Sequence, residues 1–179
     1  MVRGAKDVDL ASLEQAARVA ALFEERVVYL GLAEANIKGL KLCAEDTCLT
    51  MGSQPEQLLE GIAQGMTIFT ERSMEGPYAF VAGPKIWSKM SAHLQGYPVK
   101  MQAENLLSGP VLLSPYLSGT YGKETYMISI RGGDLEIVLG QDLSVGDEKH
   151  TDIAVTLYFT ESLTFRILEP AAVISYTTQ

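Results

Sequence analysis

Apolar residues recur along the first thirty residues at alternating spacings of three and four. They are Leu13, Ala16, Ala20, Phe23, Val27 and Leu30. This spacing places them on one stripe of an α-helix. Asp9 is positioned to accept a hydrogen bond from a free amide of the first turn, and Gly31 suits the end of the helix. The pattern predicts a rod of about 30 Å, whose alanines allow another element to approach closely.

A second helical pattern follows an irregular stretch. Ser53 is a good capping residue, Pro55 fits the first turn, and Glu56 stands three residues after Ser53, as in a capping box. The apolar face of this predicted helix consists of Leu58, Leu59, Ile62, Met66 and Phe69. Gly61 and Gly65 have small-xxx-small spacing, which predicts close packing of the helix against a neighbouring element.

The rest of the middle region predicts one strand and two further helices. Residues 78–82 form a short apolar run that is typical of a buried strand. A helix is predicted to begin at Gly83-Pro84 and to pass through Trp87 and Met90, and another over residues 99–107. The loop Gly96-Tyr97-Pro98 separates these two helices.

The last seventy residues are rich in Val, Ile, Thr and Tyr, which favour strands. The predicted strands are 110–113, 125–130, 135–139, 153–159, 163–168 and 172–176. Residues 131–134, with two central glycines, are predicted to form a hairpin turn, and residues 141–152 a polar loop. The fold class is therefore α+β, with an inserted middle domain between a long helix and a β-rich tail that pack together.

Composition limits the possible functions. The 179 residues are 47% apolar and 20% charged with a net charge of −8, a globular composition whose acidity disfavours nucleic acid and anionic lipid. No apolar run approaches the ~20 residues that a membrane-spanning helix needs. Cys43 and Cys48 follow no secretory signal, so free thiols in a reducing cytoplasm are expected. His93 and His150 lie too far away in sequence to suggest a zinc site with them.

No arrangement of residues indicates catalysis. Ser114 and Ser118 have no base nearby in sequence, and each histidine stands alone near a predicted loop. Residues 131–134 lack the Gly-Lys-Ser/Thr ending of a phosphate loop. Trp87, on a predicted helix, is more typical of a core position than of a ligand platform. This absence favours a structural or binding role.

Several segments, in one order, resemble the encapsulin family. These segments are RGAKDVDLASLEQAARVAALFEERVVYLG, NIKGL, MEGPYAFVAGPKIW, HLQGYPV and RGGDLEIVLGQDLSVGDEKHTDIAVTLYFTESLTFRILEPAAVISY. Together they extend from about Arg3 to Tyr176, nearly the whole chain. Encapsulins are bacterial and archaeal nanocompartment proteins with the capsid fold of the Hong Kong 97 phage.

The resemblance implies a wedge-shaped subunit of a closed icosahedral shell that encloses a cargo enzyme. Such cargo is typically a dye-decolourising peroxidase or a ferritin-like iron oxidase. Residues 1–31 and 133–179 would form the peripheral P-domain, which holds the long spine helix, and residues 32–132 the axial A-domain. The expected partners are other copies of the chain and the cargo, with neither nucleic acid nor a membrane.

The resemblance also implies two functional segments. The loop that would line the five-fold pore consists of Ser91, Ala92, His93, Leu94, Gln95, Gly96 and Tyr97. The segment that would lie near the groove for the cargo's targeting peptide consists of Asp142, Leu143, Ser144, Val145 and Gly146. No catalytic, metal-binding or cofactor-binding residue is predicted.

The sequence departs from the family pattern at its beginning. Family members usually carry a substantial segment before the spine helix, which lines the inner face and clasps a neighbouring subunit. Here Met1 stands almost directly before RGAKDVDL. We therefore expect the clasp to be absent and strand edges to be exposed, which favours self-association or an altered assembly. The alternative is a shortened capsid-fold module that attaches to an enzyme partner without forming a closed shell.

Overall fold

A computed structural model describes residues 9–44, 47–94, 96–118, 124–151 and 154–178. Within these ranges the helices are α1 (Ala11–Leu30), α2 (Leu40–Cys43), α3 (Pro55–Glu71), α4 (Pro84–Met90) and α5 (Val99–Leu107). The strands there are β1 (Gly31–Leu32), β2 (Ile37–Lys38), β3 (Cys48–Met51), β4 (Tyr78–Ala82), β5 (His93–Leu94), β6 (Tyr97–Pro98), β7 (Val111–Leu113), β8 (Glu124–Ser129), β9 (Leu135–His150), β10 (Val155–Ile167) and β11 (Val173–Thr178). Helices and strands occur in mixed order, which agrees with the predicted α+β class.

The long first helix forms where the apolar spacing predicts it. The Asp9 carboxylate accepts a hydrogen bond of 3.0 Å from the Ala11 amide, and the Gly31 amide donates to the Val27 carbonyl. Gly31 has φ +80° and lies so close to the Ile37 backbone that a side chain there would collide with it. The β1–β2 hairpin therefore turns tightly against the end of α1.

A mixed sheet of five strands forms the centre of the described chain. Its strand order is β3-β11-β8-β4-β7. The last strand, β11, lies between β3 and β8, parallel to the first and antiparallel to the second. Strand β11 is thus hydrogen-bonded into a sheet whose other four strands come from residues 32–132. The division into P-domain and A-domain stays a prediction.

Helix α3 packs on this sheet through its two glycines. A Cβ atom at Gly61 would lie 2.6 Å from Met51 Sδ, and one at Gly65 would overlap the Tyr176 hydroxyl, so the predicted close packing is confirmed. The predicted cap is wrong by one residue. Because Pro55 occupies the first helical position, Gln54 is the capping residue, and its amide donates to the Gln57 side chain at 3.2 Å.

Residues 131–134 form a link between two sheets rather than the predicted hairpin turn. Strand β8 before them pairs with β4 and β11, whereas β9 after them pairs with β10. The Arg131 guanidinium donates to both Asp134 carboxylate oxygens, at 2.9 and 3.0 Å. The Asp134 carbonyl in turn accepts from the Leu168 and Glu169 amides, so this link is tied to the end of β10.

The prediction of a polar loop at residues 141–152 is also wrong for residues 141–150, because β9 continues to His150. The two strands predicted at 153–159 and 163–168 are one strand, β10, over its described length, and it pairs with β9 as a long antiparallel ribbon. Pairing with β10 satisfies the β9 backbone, so polar side chains facing solvent do not end the strand. A Cβ atom at Gly146 would lie 2.5 Å from the Tyr158 ring, so the glycine allows close cross-strand approach.

Candidate functional site

An apolar groove of about 800 Å³ lies between the spine helix α1 and the ribbon. On the helix side it is lined by Ala16, Val19, Ala20, Phe23 and Val27. On the ribbon side it is lined by Leu143, Phe159, Glu161, Ser162 and Leu163, and from the β1–β2 hairpin by Leu32 and Ile37. Only Glu161 carries a charge among these residues, so the groove suits an apolar occupant.

The groove exists because only one end of α1 is covered by the rest of the described chain. Val27 and Tyr29, near the C-terminal end of α1, are buried, but Val19 is 57% exposed and Phe23 is 42% exposed. The apolar stripe that predicts the helix therefore faces an open space over most of its length. A second surface must cover this stripe if it is to leave water.

A β-bulge shapes the ribbon wall of the groove. The register shifts near the middle of the ribbon, so that two β9 residues, Asp142 and Leu143, lie opposite the single β10 residue Glu161. A bulge of this kind bends the strand and changes the direction of nearby side chains. Leu143 and Glu161 both line the groove at this position.

The ionisation of the Glu161 carboxyl group is perturbed at this bulge. Burial raises the pKa of Glu161, and the negative charge of Glu24 on α1, a hydrogen bond to the Glu24 side chain and the charge of Asp142 raise it further. Each of these effects disfavours the ionised form of Glu161. The groove is thus apolar along its length, and its one ionisable lining residue, Glu161, lies at the bulge with its ionised form disfavoured.

The predicted cargo-peptide segment meets this groove at one residue. Leu143 lines the groove, whereas Asp142 acts on it through its charge. Ser144, Val145 and Gly146 continue β9 beyond the bulge and do not line it. Sequence reasoning missed the helix wall and Glu161 as site residues, although the apolar stripe of α1 was a visible signal for the former.

The predicted pore segment forms a hairpin between α4 and α5. His93 pairs with Pro98 and Leu94 with Tyr97, and Gly96 in the turn has φ +83°. Ser91, Ala92 and Tyr97 are exposed, and the Val99 amide donates to the Ala92 carbonyl at the base. Gln95 lies outside the described residues. Ser91 and Tyr97 thus face solvent, and the role of the hairpin at a pore stays a prediction.

A buried polar joint fixes the end of α1 to the central sheet. The Ser114 hydroxyl, after β7, donates to the Glu25 carboxylate on α1. The Tyr29 ring stacks on Tyr126 and Tyr116 at centroid distances of 5.4 and 6.0 Å. Burial raises the pKa of Tyr29, a hydrogen bond to Ser114 lowers it, and the charge of Glu25 raises it again. No local pattern in the sequence predicts this joint, because its members are far apart in the chain.

The remaining candidate chemistry is sparse. No cluster of three or more His, Cys, Asp or Glu side chains able to hold a metal occurs in the residues that the structure describes. In the same ranges, no helix is long and apolar enough to span a bilayer. Cys43 and Cys48 are not joined by a disulfide, and burial raises the pKa of the Cys43 thiol.

Comparison with known proteins gives the family of the chain. The family model Linocin_M18, described as "Encapsulating protein for peroxidase", matches residues 1–164. The chain belongs to this encapsulin family. The resemblance found in its sequence segments is thereby confirmed.

The curated relatives of this encapsulin-family chain are named as shell proteins. A type 1 encapsulin shell protein of Rhodospirillum rubrum is 32% identical over 97% of this chain and 61% of the relative. One of Mycobacterium tuberculosis is 29% identical over 91% of this chain and 60% of the relative. The chain thus spans about three fifths of the length of these relatives. Their names describe shell proteins rather than enzymes, in agreement with the predicted structural role.

Solved structures show the capsid-like fold. A virus-like particle from Pyrococcus furiosus matches 94% of this chain and 68% of that chain, with a TM-score of 0.73 at 17% identity. The capsid of the myovirus XM1 matches 96% and 66%, with a TM-score of 0.68 at 14% identity. These likenesses confirm the predicted Hong Kong 97-type fold for the encapsulin-family chain.

Proposed function

We propose that the protein is a structural subunit of an encapsulin nanocompartment in the cytoplasm, which self-associates into a shell around a cargo enzyme. One observation supports this most directly: the ribbon leaves apolar side chains exposed along a strand pair about 40 Å long. The exposed side chains outside the groove are Ile137, Val138, Leu139, Val145, Val155, Leu157 and Tyr158. A two-stranded ribbon alone is only marginally stable in water. Other copies of the chain would cover these side chains.

Under this proposal the two ends of the subunit have different roles. Residues 1–31 and 133–179, which include α1, the ribbon and β11, form the P-domain and make most contacts between copies. The hairpin over residues 91–97 lies at the tip of the A-domain and lines a pore where several copies meet around a symmetry axis. Cyclic packing of copies brings the same loop of each subunit to the axis.

The groove beside α1 is proposed as the site for the cargo's targeting peptide. Its apolar walls fit apolar side chains of an extended peptide, and the predicted segment over residues 142–146 contributes Leu143 to it. The family description names a peroxidase as the encapsulated protein, so a dye-decolourising peroxidase is the first cargo to test, with a ferritin-like protein as the second.

Electron microscopy and light scattering of the purified chain test self-association. We expect particles or defined oligomers for the wild type, and fewer for Ile137→Asp, because a buried charge at a contact between copies is costly. Glu60→Gln, on the exposed side of α3, is the control and should leave assembly unchanged. A wild type that stays monomeric while binding one enzyme partner stoichiometrically would instead support the shortened binding module.

Co-expression with the peroxidase tests the groove. Phe23→Asp places a charge on the groove wall and should abolish co-purification of the peroxidase, while particles still form. Leu22→Asp is the matched control, because Leu22 is similarly exposed on α1 but does not line the groove. Equal cargo recovery in both variants would show that the peptide binds elsewhere.

A further inference from the structure

The two strands of the ribbon pair from end to end although they differ in length. Strand β9 has 16 residues and β10 has 13, yet Leu135 pairs with Ile167 at one end and His150 with Val155 at the other. Between these ends the register shifts three times, and each shift places the additional residue in β9. The resulting bulges lie at Gly140, at Asp142-Leu143 and at Glu148.

The position of all three bulges on one strand gives the ribbon a bend. A bulge bends the strand that carries it and increases the local right-handed twist. Because these bulges share a strand, their bends add, whereas bulges on opposite strands would offset one another. Strand β9 follows the longer path, by up to about 10 Å at about 3.3 Å per residue.

The sequence motif LGQDLSVG fixes the two adjacent bulges. A Cβ atom at Gly140 would lie 2.6 Å from the nearest β10 hydroxyl, so a glycine is required there. The Asp142 carboxylate accepts a hydrogen bond of 2.8 Å from the Leu143 amide, and the Gln141 side chain donates to the Ser144 hydroxyl at 3.0 Å. Such local bonds from side chains stabilise irregular backbone. The motif thus supplies the glycine and the polar groups that these bulges need.

The two adjacent bulges lie where the ribbon leaves the core of the subunit. Before them, Phe165 is buried in the same cluster as Tyr29 of α1, and Leu135 and Leu163 pack against this cluster. Beyond them, the ribbon carries the exposed side chains Val145, Val155, Leu157 and Tyr158. The bulges therefore set the direction of the exposed part relative to the packed part.

We propose that the two bulges over residues 140–143 set the angle at which the exposed part of the ribbon leaves the subunit, and thereby the angle between two copies of the chain that pack through it. The inference rests on the proposed function, because it takes other copies to cover the exposed part of the ribbon. Copies related by rotation form a closed particle only at certain angles. A straighter ribbon should therefore give particles of another size or an open assembly.

Deletion of two residues removes both bulges without exchanging the two faces of the ribbon. Because side chains alternate with a period of two, Leu143 stays on its face and should pair directly with Glu161. Deleting Gly140 with Asp142, or Gln141 with Asp142, should give the same regular ribbon, so the two variants check each other. Asp142→Asn is the matched control, because its amide oxygen still accepts from the Leu143 amide and the bulge is kept.

Distances between spin labels measure the bend in the full chain. The labels are attached to cysteines introduced at Gln64 on α3 and Lys149 on the ribbon, both exposed, after Cys43 and Cys48 are replaced by serine. Labelled chain is diluted with unlabelled chain, so that only distances within one copy are read. Since Lys149 pairs with Thr156 on the unaltered β10, a shift reports the bend. We expect both deletions to shift the mean distance by about 5 Å, as two strand residues span about 6.6 Å, and the control to leave it unchanged.

Electron microscopy of the same variants measures the consequence for assembly. Both deletion variants should still associate, but as particles of a different diameter or as open sheets, while Asp142→Asn keeps the wild-type diameter. An unchanged label distance, a wild-type diameter in both deletions, or loss of folding in both overturns the inference. Absence of particles for the wild type is instead a failure of the proposed function, and the label distances then still decide whether the bulges set the bend.

Discussion

Helix α3 lies so close to the central sheet at Gly65 that no side chain fits there. A methyl group would overlap the Tyr176 hydroxyl and come within 2.9 Å of Met127 Sδ. Tyr176 and Met127 are both fully buried, so neither side chain can move into solvent. We therefore expect Gly65→Ala to destabilise the protein, although alanine favours a helix over glycine by about 1 kcal/mol.

The magnitude follows from two opposing effects. Inserting a methyl group into a filled core costs about 1–3 kcal/mol, and the overlap with the phenol oxygen places this site at the upper end. Subtracting the gain of about 1 kcal/mol in helix propensity leaves a loss of about 2 kcal/mol. For a chain of this size, such a loss lowers the melting temperature by about 4–8 °C.

Thermal unfolding at matched protein concentration measures this effect, and two variants control it. Gly61→Ala, in the same helix, meets only the flexible Met51 side chain, at 2.6 Å, and should lower the melting temperature by less than half as much. Tyr176→Phe removes the overlapping oxygen and leaves a ring carbon at 3.2 Å, so it should rescue Gly65→Ala. A Gly65→Ala variant as stable as the wild type, or no rescue, would refute the reasoning.

Three further outcomes are expected. Ser114→Ala should cost about 1–2 kcal/mol in denaturant unfolding, because it removes a buried donor to a carboxylate, whereas the exposed Ser12→Ala should cost nothing. Gly146→Ala should push the Tyr158 ring off the ribbon and lower particle yield in size-exclusion chromatography, with little change in melting temperature. Because the pKa of Glu161 is raised, the protonated side chain stabilises the fold in acid, and this stabilisation is lost as the pH rises. Glu161→Gln should therefore raise the melting temperature by about 1 °C at neutral pH, and this gain should vanish in acid.

The longer helices and four of the five central strands could be predicted from the sequence because local signals set their limits, whereas α2 and β3 lie in the stretch whose pattern is irregular. The apolar spacing of α1, the proline at the start of α3 and the apolar run of β4 each place an element within a few residues. The ribbon could not be predicted in the same way. Its polar residues face solvent and resemble a loop, and only pairing with a distant strand shows that residues 141–150 are extended.

In the candidate groove, the sequence predicted only the residue that the family resemblance indicates, Leu143. Leu143 lies in the quoted motif LGQDLSVG, but its position in the groove depends on a register shift that no alternation pattern reveals. No local pattern in the sequence relates Glu161 to Glu24, because Glu24 lies more than a hundred residues earlier. Burial raises the pKa of Glu161 and the charge of Glu24 raises it further, and neither effect is visible in local spacing.

Some apolar side chains are buried within this chain, and others are exposed. This difference distinguishes residues expected to stabilise the fold from residues expected to mediate assembly. Every residue of β4 is buried by the chain's own helices and neighbouring strands. The ribbon and most of α1, by contrast, carry exposed apolar side chains that the described chain does not cover. Substitutions in the sheet core should therefore lower the melting temperature of the chain itself. Under the proposed function, substitutions such as Ile137→Asp should leave that temperature nearly unchanged and reduce association, because this exposed side chain would be covered only by another copy.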